Sequence, residues 1–243
     1  MTATNRRNRV FISLAGIAAT ATFLGACGSD NVSKAAADPV STVATTNAAD
    51  HTTAHAATPA PANQAEIALY GAMHDLWAEH MQWTYATVDA FFNNQAALQP
   101  TLDRLLQNQV DIGNAIKPFY GDEAGNKLTE LLSAHINGAV PVLTAAKAGD
   151  EAGLKTAVDE WYANAQEVAD FLAAANPENW PQSATRPMLE MHITQTVAYA
   201  TDLLKGDYAA AIAAYDEAAD HMSMLADTLA QGIVAAFPAQ FGG

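Results

Sequence analysis

Cysteine occurs once in the 243 residues, at Cys27. No disulfide can form within the chain, so any fold must be held by a hydrophobic core. Basic residues are also scarce. Eleven Lys and Arg face 26 Asp and Glu, for a formal charge of -15. Three of the eleven, Arg6, Arg7 and Arg9, lie in the first ten positions. The remainder is acidic enough to repel phosphate backbones and anionic lipid headgroups, which argues against nucleic acid and broad polybasic attachment to a membrane. Alternating β-branched runs are missing, so no strand competes with helix. A glycine-rich phosphate loop, a nucleophile elbow and the His-Glu-x-x-His motif are absent too, and with them the common signals for NTPases, α/β-hydrolases and zinc peptidases.

Long apolar runs are also wanting. The longest opening stretch, Val10 to Leu24, is too short for a spanning helix of ~20 residues. With its basic flank it reads as the h-region of an export signal. It ends in Leu24-Gly25-Ala26-Cys27, which resembles the lipobox of bacterial lipoproteins. That resemblance makes residues 1–26 a signal peptide and Cys27 the acylated N-terminus of an extracytoplasmic, membrane-anchored protein. Residues 27–64 are rich in Ala, Thr, Asn, Ser and Pro and nearly devoid of large apolar side chains. They read as a disordered tether, with His51 and His55 as solvated spacers.

What the chain does have, from Ala65 onward, is helical periodicity. The expected fold is all-α: a six-helix bundle over residues 65–238, followed by a short tail at 239–243. Asn63 with Glu66 marks a capped start. Pro100-Thr101 is expected to open the second helix and Lys117-Pro118 to close it. Gly121-Asp122, Gly149-Asp150, Asn176-Pro177 and Gly206-Asp207 divide the rest. Pro141 inside the third helix predicts a kink near Asn137-Gly138.

One pattern recurs. Leu76-Trp77-x-x-His80, Leu131-Leu132-x-x-His135 and Met188-Leu189-x-x-His192 each place two large apolar residues four and three positions before a histidine. Matches away from the histidines keep the same register. Asp150 answers Asp207, and the segment around Asn108 answers the segment around Asn164. The pattern predicts three αα-hairpins of about 56 residues, stacked because none can bury its apolar stripe alone. In this register Asn108, Asn164 and His221 are equivalent.

His80, His135 and His192 fall on apolar helix faces. Three neutral imidazoles meeting at one level are a sufficient set for Zn or Cu with a position left for another ligand. The alternative is three core histidines, each satisfied by a carbonyl or by Asn108 and Asn164. His221 is a candidate fourth ligand or outer partner, and Glu217 a candidate for orienting it. His74 is expected at the rim. A di-iron carboxylate site would need Glu three residues before a histidine, and positions 77, 132, 189 and 218 are Trp, Leu, Leu and Ala. The Met residues beside the histidines and the acids Glu79, Asp111, Glu130, Glu167 and Glu190 read as core packing and solvated edges.

Together, Leu76-Trp77-x-x-His80-x-x-Trp83-Thr84, Leu105-Leu106-x-Asn108, Pro118-Phe119-Tyr120-Gly121, Leu131-Leu132-x-x-His135, Trp161-Tyr162-x-Asn164-Ala165 and Met188-Leu189-x-x-His192 resemble a family of bacterial exported all-helical proteins. The resemblance spans about Leu69 to Phe237. It implies an all-helical fold and names no substrate. Two functions follow from the residues: a lipid-anchored protein binding a transition metal or small metal-coordinating ligand, or a structural or interaction module of the cell envelope. An enzyme is less supported, because no second catalytic group accompanies the histidines.

Overall fold

In the computed structural model, which describes residues 63–242, every regular element is helical. Helix α1 spans Gln64–Asn93, α2 Gln95–Ala148, α3 Glu151–Ala175, α4 Gln182–Lys205 and α5 Tyr208–Ala236, with a 3₁₀ turn at Pro238–Gln240. The signal segment, Cys27, His51, His55 and nearly all of the tether lie outside the described residues. None of the described helices is long and apolar enough to cross a membrane.

Short polar side chains start three of these helices. Asn63 Oδ1 accepts from the Glu66 N–H at 2.9 Å. Asp150 and Asp207 accept from the Gly153 and Ala210 N–H groups at 2.9 and 3.1 Å. Each satisfies an N–H that the helix itself leaves unpaired. Gly149 and Gly206 close the preceding helices at φ 69° and 74°, the left-handed conformation that favours glycine.

Helix α2 is interrupted at Gly121, where φ 85° and ψ 169° are not helical. Its two arms fold back on each other. A Cβ at Gly113 would come within 2.5 Å of the Gly125 carbonyl, although twelve residues of straight helix span about 18 Å. The Thr129 hydroxyl likewise donates to the Gln109 carbonyl at 3.4 Å. Gly113 and Gly125 are therefore small because the two backbones nearly touch.

Several expected details differ. The α2 helix begins at Gln95, so Pro100 sits one turn inside it and does not open it. The first arm of α2 runs three residues past Pro118 before it breaks at Gly121, and the backbone stays helical through Asn137-Gly138 and Pro141. The lost Pro bond is tolerated where Val140 and Pro141 face outward. The C-terminal residues are more than a tail: Phe241 is 9% exposed and stacks on Phe119 with ring centroids 5.9 Å apart.

The helices close on themselves. Helix α1 packs on α2 and α5, α3 on α2 and α4, and α4 on α5. Met73, Trp77, Ile112, Leu132, Val168, Ile193, Leu225 and Ile233 belong to one continuous core. Below the histidines this core is filled almost completely. The void between Met73, Trp77, Ile112, Leu189 and Leu225 measures only about 10 Å³, too little for any ligand.

Candidate functional site

Histidine at three points in three helices produces one cluster. His80 on α1, His135 on α2 and His192 on α4 are 1%, 3% and 3% exposed. The His80 and His192 ring centroids lie 5.5 Å apart, and those of His135 and His192 lie 5.6 Å apart. Trp77 meets the His80 ring edge-on at 5.6 Å, and Trp161 lies 5.3 Å from His135. The Trp161 indole N–H donates to the His135 carbonyl at 2.9 Å, tying α3 to this turn of α2.

A second row of polar side chains braces the turn before each histidine. Asn108 Nδ2 donates to the Leu76 carbonyl at 2.9 Å, and Asn164 Nδ2 to the Leu131 carbonyl at 3.3 Å. His221 Nε2 donates to the Met188 carbonyl at 2.8 Å. In every case the acceptor is the residue four positions before the histidine, so one contact is made three times with two side-chain types.

Around His135 the network fixes a tautomer. The Leu131 carbonyl can only accept, so the Asn164 atom facing it is the NH₂ group. Asn164 Oδ1 then lies 2.9 Å from His135 Nδ1, and Nδ1 must be the protonated nitrogen. A neutral His135 ring therefore carries its lone pair on Nε2. The other two rings lack this brace. The Nδ1 atoms of His80 and His192 are buried with no hydrogen-bond partner. Asn108 Oδ1, the counterpart of Asn164 Oδ1, instead accepts from Gln109 at 3.1 Å.

Burial keeps all three rings neutral. Desolvation lowers the His80 pKa to about 3, helped by the neighbouring His135 and partly opposed by the Gln109 amide. Burial brings His135 to about 4, opposed by Asn164. His192 is pushed well below 6.5 by burial first and then by His80, His135 and His221. A protonated imidazole is poorly solvated here and repelled by its neighbours.

The three rings form one end of a cavity of about 120 Å³. Thr84, Thr87 and Thr196 add hydroxyls, and the other walls are apolar. Thr84 and Thr87 donate to the carbonyls of His80 and Trp83 within their own helix. Thr196 Oγ1 has no partner.

The remaining candidates lie elsewhere. Glu217 is exposed, and its backbone carbonyl, not its carboxylate, accepts from Gln195. No hydrogen bond joins its carboxylate to His221, whose Nε2 faces the Met188 carbonyl. His74 sits partly exposed on the outside, 2.7 Å from Asp227. Glu79 pairs with Arg104 at 2.5 Å, Glu130 with Lys127 at 3.0 Å, and Glu190 with Gln166 at 3.0 Å. These acids serve the surface, and no carboxylate lines the cavity. Among the described residues, no three His, Cys, Asp or Glu side chains already stand in a metal-holding arrangement. Sequence reasoning overlooked Gln109, buried beside Asn108 and acting on His80, and Thr196, four residues after His192. Both follow from helical spacing: Thr196 lies four residues after His192 and Gln109 four residues after the buried Leu105.

No protein-family model, curated protein or solved structure matches the chain.

Proposed function

We propose that this is a lipid-anchored extracytoplasmic binding protein whose ligand, a transition metal such as Zn or Cu or a small metal-coordinating molecule, is held by His80, His135 and His192. The observation that carries the reading is the meeting of three buried, neutral imidazoles from three helices at one cavity, two of them with an unpaired Nδ1. Buried polar atoms without partners are rare in folded proteins and call for an explanation. Two imidazoles bound tetrahedrally to zinc at ~2.0–2.1 Å would have ring centroids about 5–5.5 Å apart, close to the spacings seen here. Forming the site takes rotation of rings, which no hydrogen bond at the Nδ1 of His80 or His192 opposes. Asn164 would act as the outer partner that holds His135 with Nε2 free to coordinate.

The same reading takes the domain as a six-helix bundle of three αα-hairpin repeats. Its support is the thrice-repeated contact of Asn108, Asn164 and His221, together with the break at Gly121 that divides α2. Kinship with the exported helical family rests on the motifs alone, and anchoring rests on the lipobox. Changing Cys27 to Ser should release the chain from membranes to the soluble fraction, and unchanged membrane partition would remove the anchor.

The metal reading is tested by melting the tag-free chain with and without Zn²⁺ or Cu²⁺ at pH 7.5 and 5.5. The expected result is a rise at pH 7.5 equivalent to ~2.7 kcal/mol at a hundredfold excess over Kd. It should persist at pH 5.5, where burial still keeps the three imidazoles neutral, and largely vanish in His135→Ala. A helical chain whose melting never responds to metal would support the second reading, a structural or interaction module of the cell envelope. That alternative draws on the Asn164–His135 bond, which already satisfies one ring of the trio.

A further inference from the structure

The cavity is larger than the histidines require. A metal ion with one water would occupy a small part of about 120 Å³, since a water takes up about 30 Å³ in the liquid. The excess lies on one side. Below the rings the core is packed, with only about 10 Å³ free. Above them, Val88 and Phe91 of α1 and Leu98, Leu102 and Leu105 of α2 form one wall. Ala139, Val140 and Leu143 from the second arm of α2 form the opposite one. Val140 is 40% exposed and Leu98 and Leu102 are partly so, so the chamber approaches the surface between the two arms of α2. At this outer end Lys147 Nζ donates to the Phe91 carbonyl at 3.0 Å and sits 5.2 Å from the Phe91 ring, fixing one wall.

Few of the lining side chains are polar. The only polar side chains in the lining are the three histidines and Thr84, Thr87 and Thr196, and the two threonines Thr84 and Thr87 are already bonded to backbone. A wholly apolar cavity of ~150 Å³ stays dry and admits benzene. This one has that scale, and three neutral imidazoles are among the residues that line it.

We propose that the chamber binds a small apolar molecule, about one aromatic ring or a short branched alkyl chain in size, carrying a single hydroxyl head directed at the imidazoles. The apolar body packs against Val88, Leu102, Leu105, Ala139 and Leu143. The head donates to an unprotonated imidazole nitrogen; where a metal occupies the histidines, the same oxygen faces the metal. Only that role of the head rests on the metal reading, and occupancy of the chamber stands without it. A charged or multiply polar ligand is excluded, because the walls offer it no partners and desolvation would cost more than the site returns.

The experiment is calorimetric titration of the full-length chain at pH 7.5, metal-free and then zinc-loaded, with phenol, benzene and benzoate as probes. Phenol should bind, benzene more weakly and benzoate not at all. Ala139→Leu fills the chamber from one wall and should weaken phenol at least about tenfold, a loss of 1.4 kcal/mol. Its zinc response should be intact. Leu102→Phe repeats the test from the opposite wall if the first variant folds poorly. Phenol affinity unchanged by both fillings, or no phenol binding to folded chain in either metal state, overturns the proposal. Phenol binding without any zinc response would retain the chamber and remove the metal.

Discussion

Asn164 holds His135 in one protonation pattern: its Nδ2 donates to the Leu131 carbonyl while its Oδ1 accepts from His135 Nδ1 at 2.9 Å. An amide is suited to this because it offers a donor and an acceptor side by side at fixed geometry. Ser would supply one oxygen with too short a reach, and Asp would place a charge against a ring that burial keeps neutral.

Replacing Asn164 with Ala should therefore cost about 1–3 kcal/mol, the penalty for leaving a buried ring nitrogen unpaired. Urea unfolding at pH 7.5 measures it. The same variant should lose the single Nδ1-protonated tautomer of His135, visible in ¹⁵N-resolved imidazole spectra. A loss of stability with the tautomer unchanged would mean that something other than Asn164 sets it.

Acid should weaken the fold through its buried histidines. In the unfolded chain each histidine takes a proton near pH 6.5. In the folded chain His80 and His135 resist until about pH 3 and 4, because burial disfavours the cation. Between these limits the unfolded state binds more protons, so stability falls as pH falls, by up to about 1.4 kcal/mol per pH unit for each histidine. The stability is complete above pH 6.5. The buried trio, His192 included, should thus lower the urea midpoint markedly from pH 7.5 to 5.0. Asp170 is held to about 2 by hydrogen bonds from Arg186 and Gln182, so its contribution persists to much lower pH and does not confuse this window. His135→Gln should flatten the profile. An equal slope in that variant would exonerate His135.

The helical class, the capping residues Asn63, Asp150 and Asp207, and the inward direction of His80, His135 and His192 were all legible in the sequence. Each depends on local chemistry or on spacing within one helix. The place of Glu217 was less legible, for a related reason. Spacing of four residues puts it on the side of α5 near His221, but only the neighbouring helix decides where the His221 ring turns, and the Met188 carbonyl is there to receive it. Pro100 and Pro141 are strong breakers as isolated signals; here both lie on the exposed side of α2, where the freed carbonyl can reach water. The chamber was not legible at all. Its walls are Leu, Val, Ala and Phe at ordinary core positions, and a sequence does not reveal that two arms of a helix stand slightly too far apart to fill the space between them.

His221 offers the sharpest test of how the three turns correspond. Its Nε2–H donates to the Met188 carbonyl, so a neutral ring keeps its lone pair on Nδ1. Such a ring presents a donor and an acceptor just as an Asn amide does. Asn108 and Asn164 make the same contact from α2 and α3. His221→Asn should therefore be nearly neutral, within about 1 kcal/mol, whereas His221→Leu removes the donor and should cost about 1–3 kcal/mol. The Asn variant should also leave any zinc-induced rise in melting temperature intact, since His221 braces the turn before His192 without coordinating. If Asn destabilised the chain as much as Leu, the turns of α4 and α5 would be built on different contacts from the other two. If Asn preserved stability but abolished the zinc response, His221 would be a ligand and the metal would be held by a different set of imidazoles.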